Sequence, residues 1–147
     1  MKFYQQLMTT VPIFLSCALA QANDVRYPIH AYQPAPTQDL QLFNEHLKKV
    51  VAQYPSVKKS PLALLKRLPV EPEGYTKAYH WCGKIKDGQQ VCTFREENIP
   101  DISVAGVLQK ITFKATRYGW YAASIERAWR CQPGKGASKA YQTELCD

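Results

Sequence analysis

Histidine is scarce in this chain, and His30, His46 and His80 are its only imidazoles. Their ordinary pKa makes them the natural proton carriers near neutral pH. His80 is the one that a strand reading gives chemical company. It faces Phe94 across a hairpin, and Arg95, Glu126 or Arg127 could stand beside it. That set would make His80 the general base of a small basic hydrolase acting on RNA. The competing reading is a structural histidine, because no spacing in the sequence singles out one partner. No G-x-S-x-G, H-E-x-x-H, phosphate-binding glycine loop or calcium-type carboxylate ladder occurs. No residue is therefore assigned to catalysis, and nothing calls for a metal or an organic cofactor.

Cysteine carries the clearer chemistry. Five are present, and Cys17 lies inside an N-terminal apolar stretch running from Leu7 to Ala20. Lys2 is the only charge before Asp24, and Ala20-Gln21-Ala22 has the A-x-A form that signal peptidase reads. Residues 1–22 are thus expected to be a signal peptide cut after Ala22, and the protein to be exported, to a periplasm or beyond. The alternative, lipidation of Cys17, is opposed by Phe14 three residues upstream and by the apolar run that continues through Ala18, Leu19 and Ala20. After the cut Cys82, Cys92, Cys131 and Cys146 remain, an even set that reads as two disulfides in an oxidising compartment. No C-x-x-C pair exists to suggest zinc.

Two further groups of residues could bind. The formal net charge is +7. Lys48, Lys49, Lys58, Lys59, Lys66 and Arg67 fall between His46 and Val70 with no Asp or Glu among them. Such a segment could meet an anionic component of the cell envelope or an acidic protein. It lacks the arginine forks and interleaved aromatics that would argue for nucleic acid. Its plain reading is the solvated face of helices. Arg117, Tyr118 and Trp120 surround Gly119 at a hairpin tip, with the composition of a binding hot spot. A Trp120 folded over the sheet edge is the structural alternative. Gln109 and Arg127 face each other on an otherwise apolar sheet surface, marking either a snorkelling edge residue or a pocket.

These residues need elements to hold them. Residues 23–36, with Pro28, Pro34 and Pro36, read as an extended lead-in without fixed secondary structure. Thr37 is the expected N-cap of a helix with Asp39 in its first turn. Its apolar stripe is Leu40, Phe43, Leu47, Val50, Val51 and Tyr54, and Pro55 stops it. Ser60-Pro61 starts a second helix, with Leu62, Leu65 and Leu68 as its buried edge, ended by Pro69. After Gly74 the period changes to that of strands. A three-residue loop Lys86-Asp87-Gly88 sets Cys82 opposite Cys92 at a non-hydrogen-bonded site, within reach of a disulfide, and Lys77 opposite Glu97. A two-residue Asp87-Gly88 loop would set Cys82 against Thr93 instead. A second three-residue loop, Arg117-Tyr118-Gly119, pairs Ala115 with Tyr121, Phe113 with Ala123, Ile111 with Ile125 and Val107 with Trp129. The opposite face then carries Thr112 with Ser124, Lys110 with Glu126, and the cations Lys110, Lys114 and Arg130 open to water or a partner. Cys131 and Cys146 bracket Pro133-Gly134-Lys135-Gly136, a loop returning into a short last strand near Lys139–Leu145. Closing it stabilises by roughly 3 kcal/mol.

The expected fold is α+β, a single domain over residues 37–147. Two N-terminal helices pack on one face of a four- to five-stranded antiparallel meander held by two disulfides. The expected function is a non-enzymatic binding module of the cell envelope, taking a protein or an anionic envelope component through the tip, the open sheet face or the basic helices. An inhibitor or immunity-type protein acting on an enzyme of the same compartment, and the His80 hydrolase, are the alternatives.

Overall fold

A computed structural model describes residues 28–68 and 76–147. The expected signal peptide and its cut, Cys17, the first residues of the lead-in and the expected Pro69 stop lie outside them. Helix α1 (Thr37–Gln53) carries Asp39 in its first turn. Its N-cap is Pro36 and not Thr37, because the Pro36 carbonyl already accepts from the Asp39 and Leu40 amides at 3.0 and 3.2 Å. Thr37 is the first helical residue and makes no cap bond. Pro55 ends α1 but also opens a 3-10 turn, Pro55–Lys59, before α2 (Pro61–Leu65). The Ser60 side chain caps α2 by accepting from the Ala63 amide at 3.4 Å. Helix α2 is shorter than its apolar pattern suggests, stopping before Leu68.

Five strands form one antiparallel sheet: β1 (Gln33–Pro34), β2 (Lys77–Cys82), β3 (Gln89–Glu97), β4 (Val104–Thr116) and β5 (Gly119–Cys131). Their order is β1-β5-β4-β3-β2, and all pairs are antiparallel. Strands β2 to β5 make the meander. The fifth strand comes from the proline-rich lead-in and not from the C-terminus, so the expectation of an unstructured lead-in is corrected. Ala35 continues the pairing by donating to the Ile125 carbonyl at 2.8 Å. The expected last strand is reduced to bridges, Tyr141 with Ile29 and Gln142 with Trp129.

Both hairpins reach the expected inner register by a different route. The first has a two-residue Asp87-Gly88 turn, closed by Lys86 and Gln89. Both turn residues have positive φ, 51° and 69°, the primed geometry that matches strand twist. Cys82 nevertheless faces Cys92 and Lys77 faces Glu97. Between Gly83–Val91 and Lys86–Gln89, Lys84 and Ile85 on one side oppose Gln90 alone. This bulge absorbs the residue that the shorter turn leaves over. The Gln90 amide holds it by donating to the Gly83 carbonyl at 2.8 Å. The second hairpin repeats the device. Its loop is Arg117-Tyr118, closed by Thr116 and Gly119. Phe113 therefore faces Ala122 and not Ala123, and Ala115 faces Trp120 and not Tyr121. Ala123 is the extra residue, and beyond Thr112–Ser124 the register is as the sequence suggests. Cys82–Cys92 and Cys131–Cys146 are both bonded, with Cα separations of 4.0 and 5.4 Å.

The sheet carries two cores. On one side Leu47, Val50, Val57, Leu64 and Leu65 from the helical segments meet Cys92, Phe94, Ile111, Phe113, Ala122 and Ile125. The other side, expected to be open, has a smaller core of Leu108, Ala128 and Tyr141, with Ile29, Tyr32 and Trp81 against it. The lead-in and the C-terminal segment close this face. The Tyr141 amide donates to the Pro28 carbonyl and the His30 amide to the Tyr141 carbonyl, at 2.8 and 2.9 Å.

The same face explains a glycine inside a strand. Glu97, Gly106 and Arg130 stand side by side on β3, β4 and β5. With no side chain between them, Arg130 reaches across β4 to Glu97 at 2.6 Å, and the Tyr141 hydroxyl donates to the same carboxylate. A Cβ on Gly106 would lie 2.7 Å from the Tyr141 hydroxyl and 3.0 Å from Glu97 Oε2. Gly106→Ala is expected to cost about 3 kcal/mol, the range of an overpacked core. A lowered urea midpoint at unchanged slope would register that loss, and an unshifted midpoint would contradict it.

Candidate binding site

The Ala123 bulge decides where the aromatic tip goes. By adding one residue to β5 it turns Trp120 and Ala122 onto the helix side, where Trp120 packs partly buried against the main core. Tyr118 remains 74% exposed at the tip, with the Arg117 guanidinium over its ring at 4.6 Å. Past the end of β1 the outer edge of β5 is taken by a helix side chain. Asn44 accepts from the Ala122 amide at 2.9 Å and donates to the Ala122 carbonyl at 2.9 Å. It also donates to the Leu40 carbonyl one turn back at 3.1 Å. This clamp fixes α1 to the hairpin. The 3-10 turn supports the tip from the other side, since Gly119, at a φ of 129°, passes so close that a Cβ would sit 3.3 Å from the Lys58 carbonyl.

Between α1 and the hairpin these contacts leave a groove of about 380 Å³. Leu47, Val51, Ala52, Trp120, Tyr118 and Tyr121 form its apolar walls, with Asn44, Lys48 and Thr116 as its other polar lining. The polar groups are mostly occupied already. Asn44 is spent on the clamp, and the Thr116 hydroxyl donates to the Gly119 carbonyl and accepts from the Tyr118 amide, at 2.9 and 3.2 Å. Among the described residues no carboxylate lines the groove and Lys48 forms no salt bridge.

The basic and aromatic residues singled out in the sequence divide accordingly. Lys48, Tyr118 and Trp120 meet in the groove, Arg117 lies over the Tyr118 ring, and of Lys58 the backbone carbonyl and Cβ pass close to Gly119. Lys49, Lys59, Lys66 and Arg67 are exposed away from its lining, with Arg67 over the Tyr54 ring at 4.5 Å. Lys114 is exposed opposite Tyr121. Lys110 and Arg130 do not form an open cationic face. Lys110 pairs with Glu126 at 2.6 Å beneath the Tyr32 ring, and Arg130 is buried against Glu97. Lys77 faces Glu97, but that carboxylate is held by Arg130, with Arg95 at 3.8 Å.

The histidine set is not assembled around His80. Its ring stacks on Phe94 at 4.9 Å between centroids, and burial, with Lys66 nearby, lowers its pKa from the ordinary value. Arg95 and Glu126 belong to the opposite face of the sheet. Arg127 shares the face but stands three strands away, roughly 14 Å at ordinary strand spacing. Strand β5 is no edge, because β1 covers it, and Arg127 is held by Asp39 of α1. A second cleft of about 380 Å³ does gather His46, Glu96, Gln109 and Arg127, a set with both titratable and cationic members. Sequence reasoning missed His46 and Glu96 there. The signal for His46 was the helical spacing of Asp39, Phe43 and His46, which puts all three on one face of α1, and for Glu96 the strand alternation that puts it on the Phe94 side of β3. The cation of this cleft is already neutralised by Asp39, whereas the hairpin groove keeps an unneutralised lysine beside bare apolar walls. The groove is the stronger candidate.

Comparison of the chain with protein families, with characterised proteins and with solved structures found no match.

Proposed function

We propose that this chain is an exported, non-enzymatic binding module of the cell envelope and that the α1–hairpin groove is its recognition site. The observation that carries the reading is the groove itself: Trp120 and two tyrosines beside Lys48, between α1 and the β4–β5 hairpin. Tryptophan, tyrosine and arginine dominate the energetics of recognition surfaces, and here Arg117 extends the aromatic tip as the fourth such residue. Two disulfides fit an oxidising compartment. Among the described residues no helix is long and apolar enough to cross a membrane.

Capture from envelope extract tests the reading. The oxidised protein, immobilised, is expected to retain a ligand at physiological salt, and Trp120→Ala to lose it. The loss should be at least roughly 30-fold in affinity, as for a buried aromatic anchor. Retention unchanged by Trp120→Ala would remove the groove from recognition. A second variant, neutralised at Lys49, Lys59, Lys66 and Arg67, separates specific binding from adhesion to the exposed basic helices. If only that variant loses the ligand, the helices bind anionic surfaces and the groove does not.

A further inference from the structure

The groove is built for a particular chemistry, and we infer that its ligand is a monomeric anionic amphiphile, a single alkyl chain ending in a carboxylate. The chain lies on Trp120 between α1 and the hairpin, and its head group meets Lys48. This rests on the reading of the groove as the binding site.

Three features select that class. The first is size. About 380 Å³ is near the lower end of small-molecule sites, which run from about 300 to 1,000 Å³. That suits one narrow chain better than a multi-chain lipid. The second is the state of the polar lining. Asn44 has both amide hydrogens and its oxygen engaged by backbone, and Thr116 both donates and accepts within the hairpin. A peptide entering here would bring amide and carbonyl groups into a space with few free partners, and each group left unpaired on burial is penalised. An alkyl chain brings none. The third is charge. Among the described residues the groove has Lys48 in its wall, Arg117 over the Tyr118 ring at the tip, and no carboxylate in its lining. An anionic head is attracted there and a cationic head repelled.

The test is calorimetric titration of the disulfide-intact protein with dodecanoate below its micellar concentration. Dodecyltrimethylammonium and decanoate serve as the charge and length comparisons. Saturable one-to-one binding of dodecanoate is expected, weakened roughly four-fold for each methylene removed. Dodecyltrimethylammonium should bind at least about five-fold more weakly, the share of one cation near an anionic group. Amide resonances of residues 118–121 and 51–52 should shift. Trp120→Ala disturbs the core as well as the groove, so the deciding variant is Ala52→Trp. It fills the groove from an exposed helix position and should abolish binding at unchanged unfolding midpoint. Equal affinity for both head groups would overturn the inference. So would binding that survives Ala52→Trp, or binding to phosphatidylglycerol vesicles without binding of monomeric dodecanoate. If dodecanoate fails while a Trp120-dependent partner is still captured, the ligand class is wrong and the binding module stands. If both fail, the groove is not a recognition site.

Discussion

Replacing Glu97 by alanine is expected to cost roughly 3–5 kcal/mol of folding stability, the range for removing one member of a buried ion pair. Its carboxylate lies between Arg95 and Arg130, both nearly inaccessible to water, and accepts the hydroxyl of fully buried Tyr141. Alanine would remove that acceptor while the Arg95 and Arg130 guanidinium groups stayed buried. Glu97→Gln keeps the volume and an acceptor but not the charge, and should recover only part of the loss. Urea unfolding of the three proteins at neutral pH measures both differences. A Glu97→Ala midpoint within experimental error of the parent would mean that water reaches this cluster. Burial of Tyr141 and its bond to Glu97 raise the tyrosine pKa, so its hydroxyl stays a donor throughout the ordinary range.

For Asn44→Ala the expected loss is about 2–4 kcal/mol, and it should carry the groove with it. The amide and carbonyl of Ala122, a residue 1% exposed, both depend on the Asn44 side chain. Each group left unpaired costs roughly 1–3 kcal/mol. The better helix propensity of alanine offsets at most about 0.7 kcal/mol of this. Hydrogen exchange separates the clamp from a general loss of stability. The Ala122 amide should exchange far faster in the variant, while amides at the Cys82–Cys92 end of the sheet change only with global stability. Equal protection of Ala122 in both proteins would show that another group satisfies it. Because Asn44 joins α1 to the hairpin, the variant should also bind the groove ligand more weakly.

Asn44 was legible in part. Asparagine is a poor residue for a helix interior, and this one lies next to the apolar stripe of Leu40, Phe43 and Leu47, where a purely solvated role is unexpected. What it bonds was not legible, because the partner is a backbone 78 residues away, exposed only by a bulge. Gly106 is similar. A glycine within a strand signals a close approach, but not that an arginine and a tyrosine use the gap. The turn lengths were misread in both hairpins. The alternation of faces fixes only the average register, and a three-residue loop and a two-residue loop with a bulge give the same pairing beyond the bulge.

The sequence by itself determined what depends on local chemistry and on period. Proline positions ended α1 and opened the next helical turns. Alternating residues chose the inner register of the strands, and that register carried Cys82 to Cys92. Only the tertiary structure decided which polar groups would be buried, because burial depends on what covers a face, and the cover comes from distant parts of the chain. The lead-in and the C-terminal segment, through Ile29, Tyr32 and Tyr141, turned an apparently open face into a second core and covered the ion pair of Arg130 with Glu97. The single extra residue Ala123 turned Trp120 inward and made the groove, because adding one residue to a strand exchanges its two faces.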